Sequence, residues 1–256
     1  MRTTEHIELP EYLFQIPKTQ DYLICYIDLL GSKSNISEND NEVFENIYNA
    51  YSVAMTMNQT KVFDRFEFKV FSDNILIAQA VPDKTDFESV FSVYKNLSKF
   101  LLLFLFQFAK RNMLFRGGIT LNSLAINEMM VWGEGLSEVV KYEEKLAIYP
   151  RILISNSLID FFKANISKKE FFDEKYYCLK DADGLYFFDY INYAELPDAE
   201  YILTKGYKEF CEKVKNETDI RVLQKYNWHK RYLHIAKDIF NEYYGEFNQI
   251  RWDEET

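Results

Sequence analysis

The stretch YIDLLGSKS, Tyr26–Ser34, ends an apolar run on an acid, Asp28, and then breaks at Gly31-Ser32. A second apolar run, FKVFSDNILIA (Phe68–Ala78), is interrupted by another acid, Asp73. Residues 22–30, YLICYIDLL, are short, partly β-branched or aromatic, and closed by a glycine, which predicts a buried strand. FDRFEFKVF and NILIAQAV alternate on either side of Ser72-Asp73, which predicts a β-hairpin with a tight turn. Two acids thus fall at the ends of strands that otherwise belong in a core.

Between and beyond these strands the period changes. Val43, Phe44, Ile47, Tyr51 and Ala54 recur every three to four residues, predicting an amphipathic helix over 41–57. Residues 87–111 predict a long helix whose last turns, FLLLFLFQFA (Phe100–Ala109), are nearly all apolar. That run is about half the length of a bilayer span and reads as a buried helix. MLFRGGITLNSLAIN predicts a strand whose double glycine marks close backbone approach. WGEGLSEVVKYEEKLA predicts a helix stopped by Pro150, and RILIS a further buried strand. The order β-α-β-β-α-β-α-β points to an α+β fold with a ferredoxin-like βαββαβ, palm-type core over residues 1–165. Residues 166–256 add a second hairpin turning at Asp183-Gly184 and two amphipathic helices, expected to pack on that core.

Composition narrows the functional classes. The 256 residues are 48% apolar and 17% aromatic, with only 8 Gly and 5 Pro, which argues for a sizeable core rather than disorder. Forty acidic against thirty basic residues give a net charge of −10 and disfavour a general grip on nucleic acid. Three scattered cysteines and three scattered histidines suit neither a disulfide framework nor a His-built zinc site. The start, MRTTEHIELPEY, has no apolar signal segment, and the chain reads as cytoplasmic with no membrane partner.

Two carboxylates at adjacent strand ends repel each other unless a cation lies between them. Mg²⁺ or Mn²⁺ takes one or two carboxylates together with carbonyls, waters and phosphates, so Asp28 and Asp73 with the Leu29 carbonyl form a candidate metal site. Backbone N–H groups of LLGSK offer a cradle for phosphate oxygens. Arg116, in an apolar strand, needs an anion, and its planar fork suits phosphate. Lys69 precedes Asp73 by four residues, roughly 13 Å along a strand, about the span of a nucleotide. Singly, Asp73 also reads as an ordinary turn residue, Arg116 as half of a structural ion pair and Lys69 as a solvated lysine.

Together these pieces resemble the class III nucleotidyl cyclase family. YIDLLGS is similar to its F-x-D-I-x-G-F motif, KVFSD to K-x-x-G-D with Ser72 for the glycine, and RGGI to R-V-G-I. WGEGLSEVVKYEE is similar to W-G-x-x-V-N-x-A-x-R-L-E, and PRILIS to P-x-x-I-x-V-S. The five motifs run in unbroken order over residues 20–156. FSDN, RGGI, YPRI and the later KYNW are closer to a bacterial branch similar to the pyrimidine cyclases of anti-phage signalling.

The resemblance implies that Asp28 and Asp73 hold two ions, Mg²⁺ or Mn²⁺, and that a nucleoside triphosphate becomes a 3′,5′-cyclic nucleotide and pyrophosphate. It implies phosphate contacts from Gly31, Ser32 and Arg116, a base contact from Lys69, and a homodimer with its site between subunits. By register, Ser137 stands for the ribose-orienting Asn and Lys141 for the transition-state Arg; Lys keeps the charge without the fork. Met130 stands where an acid selects adenine, which favours a pyrimidine or relaxed specificity. Asn122 stands where a glycine usually follows that strand. Two other readings stay open: a nucleotide-binding module without turnover, and a scaffold whose helices KYNWHKRYLH and FNEYYGEF bind a protein partner.

Overall fold

A computed structural model describes residues 16–30, 41–59, 66–111, 113–166, 177–191 and 202–244. Gly31 and Ser32 lie outside the described residues. The strands are β1 (Gln20–Leu29), β2 (Glu67–Phe71), β3 (Asn74–Ala80), β4 (Phe115–Ile126), β5 (Val131–Trp132), β6 (Ile152–Ile154), β7 (Cys178–Lys180) and β8 (Tyr186–Phe188). The helices are α1 (Asn41–Gln59), α2 (Phe87–Ala109), α3 (Glu134–Lys141), α4 (Asn156–Asn165), α5 (Tyr207–Asn216) and α6 (Ile220–Tyr244).

The strands form one sheet in the order β2-β3-β1-β4-β6-β8-β7, with β5 paired to the end of β4. Its first four strands follow the ferredoxin-like order 4-1-3-2 and are mutually antiparallel. The mixed α+β expectation therefore holds. Strand β6 joins β4 in parallel, and the β7–β8 hairpin joins β6 through β8, so the later hairpin continues the same sheet.

Strand alternation divides the side chains between two cores. Leu23, Cys25, Ile27 and Leu29 face a large cluster with Phe100, Phe104 and Phe108 of α2; Tyr22 and Ile24 face a smaller one with Val139 of α3. By length and composition, α2 is the one described helix apolar enough to cross a membrane, yet thirteen of its residues are buried in the protein. Asp86 caps its start by accepting from the Ser89 N–H at 2.8 Å.

The double glycine of β4 does what its sequence suggests. A Cβ on Gly117 would lie 2.0 Å from the Tyr26 carbonyl oxygen, so β1 and β4 approach this closely only because residue 117 is glycine. The cysteines are all free. Two elements are absent from the periodicity reading: the two-residue β5, and α4, whose start is capped by Ser155 accepting from the Leu158 N–H.

The β7–β8 hairpin and helix α6 are tied in through polar contacts. Arg151, 0% exposed, ion-pairs with Asp181 and Asp183 of the β7–β8 turn. Trp228 of α6 donates its indole N–H to Asp181 at 2.6 Å. His229 of α6 is buried and shares a 3.0 Å hydrogen bond with the Tyr190 hydroxyl. Burial pushes the His229 pKa down to about 3. The imidazole is thus neutral in the native state and takes a proton in the unfolded chain below about pH 6.5, so stability falls as pH drops. Between pH 7 and pH 5, wild type should lose about 2 kcal/mol more than His229→Gln. Urea unfolding at both pH values checks this; equal losses in the two proteins would refute it.

Candidate active site

The site is built where β1, β3 and β4 end together. Asp28 stands directly across β1–β4 from Arg116 and across β1–β3 from Asn74, so the three side chains share a face of the sheet. Arg116 Nε donates to Asp28 Oδ2 at 3.0 Å, and its Nη2 reaches Glu143 Oε1 at 2.5 Å. Asn74 donates from Nδ2 to Asp73 Oδ1 at 3.1 Å, drawing the second carboxylate toward the row that holds Asp28. The Leu29 N–H donates to the Asp73 carbonyl at 3.1 Å and fixes the hairpin end against β1.

Asp73 sits in a two-residue turn whose first residue, Ser72, has φ of 60°. That pattern, positive at the first turn position alone, is the one a type II′ turn demands, where glycine is usual. Serine holds the conformation at a cost on the order of 1 kcal/mol. Asp73 is only 8% exposed, so its carboxylate is largely shielded from water.

Glu143 completes the cluster. The α3 helix passes into a π-turn over Tyr142–Leu146, and this turn carries Glu143 inward beside Arg116. Burial pushes its carboxyl up to about 7; Arg116 opposes that shift, while the charge and hydrogen bond of Asp28 add to it. Tyr26, one row along from Asp28, is pushed up to about 12, by burial first and then by Glu143, Asp28 and Asp73. One guanidinium therefore stands among three carboxylates, and the surplus negative charge is felt by Glu143 and Tyr26.

The chemistry of this donor set suits a hard divalent cation. Asp28 and Asp73 offer oxygen ligands at adjoining strand ends, and Leu29 directly follows Asp28. Among the described residues, no group of three or more His, Cys, Asp and Glu side chains is placed to hold a metal by itself. Two carboxylates completed by a carbonyl, waters and phosphate oxygens are what Mg²⁺ or Mn²⁺ takes.

The other expected residues are spread more widely. Lys69 pairs with Leu76 and lies on the Asp28 face, two strands away and one row along. Ser137 and Lys141 are both exposed on α3. The inward positions of that helix are held instead by Val139 and by Glu138, which accepts from Thr120 and Asn122, each at 2.9 Å. Within one chain Ser137 and Lys141 therefore do not join the acids. Met130 is 48% exposed in the loop before β5. Gly133, at φ of 146°, opens α3; a Cβ there would fall 2.6 Å from the Ser123 carbonyl oxygen. Glu143 was not among the expected site residues, yet it continues the stripe Leu136, Val139 that faces the sheet, and an acid on that stripe is its signal.

No family model matches the chain, and no curated protein matches it. Among solved structures it is similar to the adenylyl cyclase CyaB from P. aeruginosa, at 13% identity and TM-score 0.43, over 67% of this chain and 94% of that one. It is similar to the monomeric guanylyl cyclase domain of the RhoGC fusion protein from the aquatic fungus Blastocladiella emersonii. There the identity is 13% and the TM-score 0.41, over 68% of this chain and 98% of that one. A class III adenylyl cyclase-like ATP-binding protein from Pseudomonas aeruginosa gives 14% identity and TM-score 0.43, over 73% of this chain and 41% of that one.

Proposed function

We propose that this chain is a cytoplasmic, metal-dependent nucleotidyl cyclase, active as a homodimer, that converts a nucleoside triphosphate to its 3′,5′-cyclic monophosphate and pyrophosphate. The observation that carries the reading is the convergence of Asp28, Asp73 and Arg116 at one end of a ferredoxin-like sheet. The ribose 3′-oxygen gives up its proton to solvent water and bonds to the α-phosphorus, while the bond from that phosphorus to the oxygen bridging the α- and β-phosphates breaks and pyrophosphate leaves with the electron pair. Asp28 and Asp73 would hold two divalent cations, which would neutralise the triphosphate charge and lower the pKa of the 3′-hydroxyl. Arg116 turns the edge that holds Asp28 toward the phosphates while Glu143 keeps hold of its Nη2. Gly31 and Ser32 contribute backbone N–H groups to those oxygens, Lys69 meets the base, and Ser137 and Lys141 act on the ribose and phosphate of the neighbouring subunit's site. With Met130 unable to bond a base edge, a pyrimidine triphosphate fits best, in keeping with a role in anti-phage signalling.

Incubating the purified dimer with each of the four ribonucleoside triphosphates and Mn²⁺ tests this. Cyclic product, highest for a pyrimidine, is the expected result; a folded dimer that yields none from any of the four refutes turnover. The exposed Ser137 and Lys141 favour a second reading, a nucleotide-binding module without turnover. A rise in melting temperature with a triphosphate, but no product, would select it.

A further inference from the structure

Asn74 stands between the two acids. It is the first residue of β3, so the tight turn that presents Asp73 ends on it. It pairs with Phe71 of β2 on one side and with Asp28 of β1 on the other. Directly opposed residues of an antiparallel pair share a face of the sheet and hold their Cβ atoms about 5 Å apart. The Asn74 side chain therefore leaves the sheet beside that of Asp28, while its Nδ2 donates to Asp73 Oδ1 at 3.1 Å.

An ionised carboxylate only accepts hydrogen bonds, so the amide turns its NH₂ group toward Asp73. The carbonyl oxygen, Oδ1, lies on the other branch of the planar amide. Asn74 is half-buried, and its Oδ1 accepts no hydrogen bond among the described residues. Other side chains would serve the acids less well here. An aspartate would set a like charge directly across from Asp28. An alanine would take a donor from the Asp73 carboxylate, which is largely shielded from water. The amide is neutral, gives a donor to one acid and keeps an oxygen of the kind that Mg²⁺ and Mn²⁺ accept.

We infer that Asn74 belongs to the cation site: its Nδ2 fixes the Asp73 carboxylate, and its Oδ1 supplies a third side-chain oxygen beside those of Asp28 and Asp73. This inference rests on the proposed metal-dependent reading and adds a ligand to its site. A neutral third oxygen brings coordination without further negative charge, so a polyanionic substrate meets less repulsion than a third carboxylate would cause.

Titration calorimetry of the full chain with Mn²⁺ tests the assignment, alone and with each 3′-deoxynucleoside triphosphate, which lacks the hydroxyl that would react. Asn74→Ala should weaken Mn²⁺ binding by about 10–100-fold. Asn74→Asp keeps the oxygen and loses the donor. It should lower the metal-free melting temperature, through the like charges, and bind Mn²⁺ as tightly as wild type or more so. Asn96, which donates to Gln79 at 2.8 Å on the opposite face of the sheet, supplies the control, and Asn96→Ala should stay within about threefold of wild type. Wild-type affinity in Asn74→Ala, with binding lost in Asp28→Asn, would overturn the assignment and leave the two-acid site standing. Binding in Asn74→Asp as weak as in Asn74→Ala would show that the residue only positions Asp73, and would overturn its role as a ligand. An equal loss in Asn96→Ala would overturn it as a general loosening of the sheet. If the wild-type chain binds Mn²⁺ under neither condition, the assignment and the metal-dependent reading fall together.

Discussion

Asp28→Asn and Asp73→Asn should each lower cyclic-product formation by on the order of 10²–10³-fold, the loss that follows when one electrostatic stabiliser is removed from a catalytic centre. Protein stability should move much less. In Asp28→Asn, Arg116 keeps its ion pair with Glu143, and the repulsion between Glu143 and residue 28 disappears. The same substitutions should abolish any rise in melting temperature caused by Mn²⁺, a readout independent of turnover. Melting curves with and without Mn²⁺, taken beside product assays, separate a lost site from a lost fold. Full activity in either variant would remove that carboxylate from the mechanism.

The largest expected effect on stability lies away from the site. Arg151→Met should destabilise the protein by about 3 kcal/mol, because two carboxylates are left facing each other without their shared cation. For a chain of this size that is a fall of roughly 6–12 °C in melting temperature. The low end of the usual range applies because the Asp183 side chain is 40% exposed and keeps some hydration, while that of Asp181 is 12% exposed. Adding Asp181→Asn and Asp183→Asn to Arg151→Met should recover part of the loss. A melting temperature within 2 °C of wild type in the single variant would show that the cluster contributes little.

Most of the sheet can be read directly from the chain because its signals are local. The β1 run, the alternation around Ser72-Asp73, the apolar helix α2 and the glycines of β4 each announce themselves within a dozen residues. Helix α4 escapes that reading because it is only ten residues long, at the lower limit for an amphipathic period. Strand β5 has two residues, too few for any period.

The site divides in the same way. Asp28, Asp73 and Arg116 stand in or beside strands whose pairing follows from their order, so their meeting can be foreseen. Glu143 lies on the sheet-facing stripe of Leu136 and Val139, but an acid there is ordinarily read as surface, and its pairing with Arg116 is visible only once the π-turn is placed beside β4. The docking of α6 is likewise not a local signal. That docking is decided by Trp228, His229, Tyr190 and Arg151, residues brought together from three distant segments.

The pairing of β8 onto β6 carries one more consequence. Strand β6 is the three-residue sequence Ile-Leu-Ile, fully buried, with β4 on one side and β8 on the other. A shortened version of this protein ending at residue 165 would leave those backbone groups and that greasy rim open to any passing chain. Such uncovered rims are where proteins clump. The β7–β8 hairpin thus acts as a seal for β6, and the two are best handled as one piece.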